Sequence, residues 1–212
     1  VIHDRVRTWR GLIRSILLIA TIALPAGCQA LGAIIDKTAG PGKVPANYKP
    51  QPVPMLVLVE NYRTLGNLDE QSVTKFVEDE VTANKVAPIV SQEELRRMRD
   101  ADPDGYRKLS VAALGKISGA RQILYVDQLE LTIDRPAGSE LFKGTASARV
   151  RVVDVESGRS LWPKDSRSGE PYLMETPYVH DTDISEDQLR LQLAQTLAQQ
   201  VVRNFYDWTP EQ

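Results

Sequence analysis

The amino-acid sequence predicts one α/β domain of the α+β kind. We expect a mixed β-sheet with packed helices, in the order β-α-β-α-α-β-β-β-α, ending in a long C-terminal helix. Three patterns carry that expectation. Residues 55–60, MLVLVE, are a short apolar run following a proline, as in a strand buried on both faces. Ala146, Ala148, Val150 and Val152 alternate with Thr145, Ser147, Arg149 and Arg151, the period-two pattern of a sheet with one wet face. Leu189, Leu193, Leu197, Val201 and Phe205 recur at four-residue steps, the apolar stripe of a helix.

The elements follow in order. After the opening strand, Asp69 is expected to cap a helix lasting to about Asn84, with Val73, Phe76, Val77 and Val81 inward. Val86 to Val90 reads as a second strand, in which Pro88 implies an edge or irregular position. Ser91 with Glu94 has the spacing of a capping box and opens a polar helix from Gln92 to Arg99. Asp102-Pro103-Asp104-Gly105 reads as a turn. A helix from about Tyr106 to Ser118 follows, with Leu109, Ala113, Leu114 and Ile117 inward, stopped by Gly119. Gln122 to Asp134 and Leu141 to Val155 are long strands joined by the turn 135–139, and Ser160 to Trp162 is a short return strand. Pro163 to Asp183 reads as a loop, and Ser185 with Gln188 caps the last helix.

The folded part is expected to span 55–208. Ahead of it, residues 1–27 have the grammar of an export signal: Arg5, Arg7, Arg10 and Arg14, then the apolar run Ile16 to Leu24, then Ala26 and Gly27. The leader contributes +3 to a whole-chain charge of −2, which leaves −5 on the remainder. A mildly acidic body without a basic stripe speaks against nucleic acid, which is bound through phosphate neutralisation. Cys28 is the one cysteine, so no internal disulfide can form. Ala26-Gly27-Cys28 resembles a lipobox, although Pro25 stands where that pattern usually has Leu. The resemblance implies cleavage before Cys28, lipidation (palmitate among the acyl groups) of its thiol, and anchoring to a membrane. Gln29 rather than Asp at the next position implies sorting to the outer membrane, facing the periplasm, in preference to the inner membrane. Residues 28–54 are then the lipidated cysteine and a Pro/Gly-rich tether, densest from Thr38 to Pro54.

Met55 to Trp162 resembles the periplasmic domain shared by the curli-secretion lipoprotein CsgG, the penicillin-binding-protein activator LpoB and TolB N-terminal-like domains. Three segments carry the resemblance: MLVLVE, the run LGKISGARQIL from Leu114 to Leu124, and ARVRVVDVESGRSLW from Ala148 to Trp162. These are folding motifs. Gly119 allows the residue that stops a helix, Asp154 can accept backbone hydrogen bonds in a turn, and Gly158 can take a positive φ. The resemblance implies an envelope lipoprotein that binds a protein partner, with activation of a cell-wall synthase or a place in a secretion assembly as alternatives. A channel is not expected, because neither 135–142 nor 163–183 offers a pair of membrane-crossing strands.

Residues that invite catalysis are few. His3 lies in the leader, which leaves His180, and Cys28 is reserved for lipid, so a Cys-His pair has no nucleophile. No phosphate-cradling glycine loop, paired Cys-x-x-Cys or His-Glu-x-x-His occurs. No enzyme activity, metal or cofactor is expected. A carboxylate-dependent hydrolase is the alternative, and it requires two carboxyl groups converging in one pocket. Asp181, Asp183, Glu186 and Asp187 form an acidic run that suits the dipole of the helix they precede better than it suits a cation. Tyr172, Tyr178 and Trp208 sit in and beyond a loop longer than ordinary connections, and are expected to contact an envelope partner or a second copy.

Overall fold

A computed structural model describes residues 42–61, 67–164 and 166–210. The expected leader and Cys28 lie outside the described residues. Among the described residues the strands are β1 (Met55–Val59), β2 (Gln122–Asp134), β3 (Leu141–Asp154), β4 (Ser160–Trp162), β5 (Glu170–Glu175) and β6 (Val179–His180). The helices among the described residues are α1 (Leu68–Ala83), α2 (Glu93–Ala101), α3 (Pro103–Arg107), α4 (Val111–Ser118) and α5 (Glu186–Val202), followed by a 3₁₀ turn at Arg203–Phe205. The result is a mixed sheet with helices packed against it and a long C-terminal helix.

β1 runs parallel to β2, and β2 runs antiparallel to β3. Along its other edge β3 takes three partners in turn, all antiparallel: β4 at Val152–Val153, β5 over 145–150 and β6 at 141–142. A bulge interrupts the β2–β3 ladder between Asp127 and Glu130, where Gln128 takes a positive φ of 54°. It turns Leu129 inward, and its N–H donates to the carbonyl of Glu60.

Two cores lie on the two faces of the sheet. Met55, Val57, Val59, Leu124 and Val126 point one way, onto Val73, Val77 and Val81 of α1 and Leu193, Leu197 and Val201 of α5. Leu56, Leu58, Ile123 and Tyr125 point the other way, onto Leu95 of α2, Tyr106 of α3 and Leu114 of α4. The five residues of β1 are all buried because both faces are covered there. Beyond the bulge no buried core cluster of the described residues covers the second face, and β2 and β3 alternate between buried and more accessible positions.

Several local expectations change. Asn67, not Asp69, caps α1, its side chain accepting from the N–H of Glu70. Val86 to Val90 is not a strand: Pro88 has no N–H, and the contact shrinks to one bridge, in which Met55 N–H donates to Pro88 O and Val90 N–H to Met55 O. The capping box at Ser91 does not form, because the cap position falls at Gln92, whose side-chain amide turns to the sheet. The expected helix 106–118 is two helices. Asp102 caps α3 with Pro103 in its first turn, and Ser110 caps α4 by accepting from Ala113 N–H. The long loop 163–183 contains β5 and β6. The capping box at Ser185 and Gln188 and the left-handed stop at Gly119 (φ 75°) are as expected.

Residues 45–208 form one compact unit. Its first ten residues, expected as tether, are held to the C-terminal segment. Tyr48 N–H donates to Asn204 O, Ala46 N–H donates to Asp207, Lys49 pairs with Asp207 at 2.8 Å, and the Tyr48 ring meets Phe205 edge-on. Proline-rich chain lacks ladder donors but retains side chains that pack.

Candidate functional site

A cleft of about 580 Å³ opens where β1 ends, between α1 and α2. Its floor is Leu58 and Val59, and its walls carry Glu70 and Glu78 from α1, Arg96 and Arg99 from α2, and Tyr106 from α3. The crevice outside the carboxyl end of a parallel strand is where α/β sheets bring side chains from several elements together.

Glu70 falls in the first turn of α1 and is 4% exposed, unusual for a carboxylate. Its Oε1 accepts from Asn61 N–H at 2.7 Å, which ties the exit of β1 to the start of α1. Glu78, about two turns on, accepts from Gln92 Nε2 at 2.8 Å, and the same amide donates to Val57 O at 2.7 Å. Gln92 therefore holds the start of α2 over the sheet. Burial raises the pKa of Glu78, opposed by that bond and by Arg96. Glu60, directly after β1, accepts from the Tyr125 hydroxyl at 2.8 Å. Burial raises its pKa most, the Tyr125 bond opposes the rise, and Asp127 adds to it. The Tyr106 phenol is pushed up to about 12, first by burial and then by Glu60, with Arg99 opposing and Glu70 adding.

Acids on the α1 wall and guanidinium groups on the α2 wall give a cleft that can hold polar groups of both signs. Burial raises the pKa of both Glu78 in the cleft and Glu60 just after β1, and each already accepts a hydrogen bond, from Gln92 and from Tyr125. Among the described residues no group of three His, Cys, Asp or Glu side chains could hold a metal ion. None of these cleft residues stood out in the sequence. The usable signal was a charge at the end of an unbroken apolar run, in MLVLVE, where both sheet faces are covered.

The three residues expected at a partner surface have different surroundings. Tyr172 packs against the core, and its hydroxyl accepts from Asn204 Nδ2. Trp208 lies beside the same C-terminal segment, under the Arg203 guanidinium at 4.6 Å. Tyr178 follows β5 and is 50% exposed, with Lys143 Nζ 5.8 Å from its ring centroid. In the acidic run, Asp181 and Glu186 pair with Arg135, each at 3.0 Å. His180 Nε2 lies 3.0 Å from Glu140, and Ser185 caps α5. Asp154 accepts from both N–H and hydroxyl of Ser157, which lowers its pKa and fixes the turn, as expected.

No helix among the described residues is long and apolar enough to cross a membrane. No family model matches the chain, and no curated protein matches it. Among solved structures, the chain is similar to the PelC dodecamer from Paraburkholderia phytofirmans, with TM-score 0.41 and 14% identity over 80% of this chain and 94% of that one. It is similar to a lipoprotein from Neisseria meningitidis, with TM-score 0.45 and 15% identity over 72% and 99%. The LpoB C-terminal domain from Escherichia coli gives TM-score 0.35 and 17% identity over 68% and 93%.

Proposed function

We propose that the chain is an envelope lipoprotein, anchored through lipid on Cys28 in the outer membrane and facing the periplasm, that acts by protein contact rather than by catalysis. The order Arg-rich stretch, apolar run, Ala26-Gly27-Cys28 carries the reading. Because residues 45–54 belong to the folded unit, the spacer on this reading is 28–44, which reaches about 50 Å when extended at roughly 3.1 Å per residue. Intact mass of the membrane-extracted protein is the test. A chain beginning at Cys28 with added acyl mass is expected, and a chain that retains residues 1–27 would refute the anchor.

Among the described residues β5 pairs with β3 alone, and its other edge supports contact as the mode of action. Thr176 N–H donates to Gly144 O, so by alternation along the ladder the backbone groups of Leu173 and Glu175 point away from β3. Pro171, at the same alternation, has no N–H to present, a common guard against unwanted strand pairing. Leu173 is 69% exposed and Tyr178 follows it. On this reading Leu173→Lys, on an accessible edge, leaves the fold intact and abolishes co-purification of a partner or of a second tagged copy. Equal recovery with wild type would remove β5 from the contact surface.

A further inference from the structure

A separate cavity of about 320 Å³ is lined by Arg151, Gly158, Arg159, Ser160, Ser166 and Arg167. We propose that it is an oxyanion pocket that takes a phosphate group, with Arg151 as its floor and Arg159 and Arg167 as its arms. The inference rests on the folded domain and not on the lipid-anchor reading.

The strand pattern places the floor. Val150 and Val152 face the core, so Arg149 and Arg151 emerge on the opposite face of β3. The Arg151 guanidinium lies 5.0 Å from the centroid of the Tyr125 ring, and its Nη1 donates to Arg167 O at 3.0 Å. Stacking and one committed donor fix the group while leaving it further N–H donors.

Two short loops supply the arms. In the β3–β4 turn, Asp154 N–H donates to Arg159 O, and the Asp154 carboxylate is taken by Ser157. Arg159 is thereby positioned without being neutralised. In the loop before β5, Ser166 N–H donates to Pro163 O and Gly169 N–H donates to Ser166 Oγ. Gly169 has φ 74°, and a Cβ there would stand 2.9 Å from Val150 O, so the loop is pressed onto β3. The Arg149 guanidinium also reaches this loop, at Ser168 O.

Charge accounting favours an external anion. Arg96, Arg97, Arg99, Arg107, Arg135 and Arg190 each have a carboxylate within ion-pair distance. Among the described residues Arg121, Arg203, Arg149, Arg151, Arg159 and Arg167 have none, and the last four are brought to one region by Arg149 reaching Ser168 O, Arg151 reaching Arg167 O and the shared lining of the cavity. Guanidinium forks match the oxygens of phosphate, and three of them exceed what one carboxylate can accept. The volume leaves room for an ester substituent on the phosphate. The pocket also lies near where the chain enters the domain, since Trp162, next to its loop, meets Phe205, which meets Tyr48. A lipid headgroup and free phosphate share the chemistry.

Isothermal titration of the detergent-solubilised full chain separates them, using inorganic phosphate, dihexanoylphosphatidylglycerol and acetate at constant ionic strength. Phosphate-bearing ligands are expected to bind in about the millimolar range or tighter. Arg159→Ala with Arg167→Ala, both exposed positions, is expected to weaken binding at least about tenfold with an unchanged circular dichroism spectrum. The Lys pair, Arg159→Lys with Arg167→Lys, keeps charge without the forks and is expected to fall between. Tighter binding of the lipid identifies a headgroup; equal or tighter binding of inorganic phosphate identifies the free ion. Absence of binding by both, acetate binding as well as phosphate, or wild-type affinity in the Ala pair would overturn the proposal.

Discussion

Gly115→Ala sets helix propensity against packing, and the structure decides the sign. Gly115 is buried in the middle of α4, where Ala in place of Gly should stabilise by about 1 kcal/mol on propensity alone. A Cβ at this position, however, would stand 2.6 Å from Val155 Cγ2, 2.7 Å from Ile123 Cδ1 and 3.1 Å from Ile123 Cγ1. Both neighbours are buried and β-branched, hence stiff at χ1. Overpacking of this kind costs roughly 1–3 kcal/mol, and two contacts this short on stiff side chains argue for the upper half of that range. The expected net result is destabilisation by about 1–2 kcal/mol, or a Tm lower by about 2–8 °C for a domain of this size. Urea unfolding followed by far-ultraviolet circular dichroism reads it directly. Ile123→Val removes the Cδ1 atom and costs about 0.5–1.5 kcal/mol alone. Combined with Gly115→Ala it should be less than additive by at least about 0.5 kcal/mol, because the new methyl enters the vacated space. If Gly115→Ala proved as stable as wild type or more so, the close packing of α4 on β2 would be wrong.

Removal of the α5 cap by Ser185→Ala should cost about 1 kcal/mol in urea unfolding, since Ser185 Oγ no longer accepts from Gln188 N–H while the reciprocal bond from the residue 185 N–H to Gln188 Oε1 can persist; no change would mean the hydroxyl cap contributes nothing. Glu60 has a raised pKa in the folded state, so its contribution to stability is full below its ordinary value of 4.5 and declines as pH rises through the folded value. Glu60→Gln keeps an acceptor for Tyr125, and its stability relative to wild type should therefore rise with pH above 4.5; a difference independent of pH between 4 and 8, or one that falls, would refute the burial argument. Arg190 Nη1 donates to Asp69 Oδ2 at 3.0 Å and to Leu131 O at 3.1 Å, joining α5, α1 and β2. Arg190→Met should cost about 1 kcal/mol of unfolding free energy, discounted because the side chain is 36% exposed, and Asp69→Asn in the same background should add little.

Where an element's evidence lies within its own residues, the sequence was a sufficient guide. The alternation in β3 survives because one face meets the core and the other stays wet, and the stripe of α5 survives because each leucine meets the same sheet. β5 escaped notice because EPYLME, an edge strand, buries no residue fully and carries a proline. The break between α3 and α4 was signalled by Asp102-Pro103 and by Ser110, but the apolar spacing of Leu109, Leu114 and Ile117 ran through it and suggested one helix. Ile117 is in fact 39% exposed, so that spacing did not describe one buried face. Of the candidate cleft almost nothing was legible. Glu70 looks like a first-turn acid, common on helix dipole grounds, and its burial exists only once β1 and α1 meet at Asn61.

Charge placement separates the two cavities more sharply than size does. In the cleft at the end of β1, each acid already accepts from a protein donor, Glu70 from Asn61 and Glu78 from Gln92, and Glu60, directly after β1, accepts from Tyr125. Those bonds tie β1 to β2, α1 and α2, so a ligand seeking the carboxylates would compete with contacts that hold the fold. The arginine pocket is the reverse. Its backbone bonds, Asp154 to Arg159 and Ser166 to Pro163, hold the loops without using the guanidinium groups of Arg159 and Arg167. Occupying it would add favourable charge pairing and disrupt no internal ion pair, since among the described residues those two arginines have none. Stability is therefore expected to respond in opposite ways: acid-cleft substitutions should shift unfolding without any added ligand, whereas Arg159 and Arg167 substitutions should shift it mainly when phosphate is present.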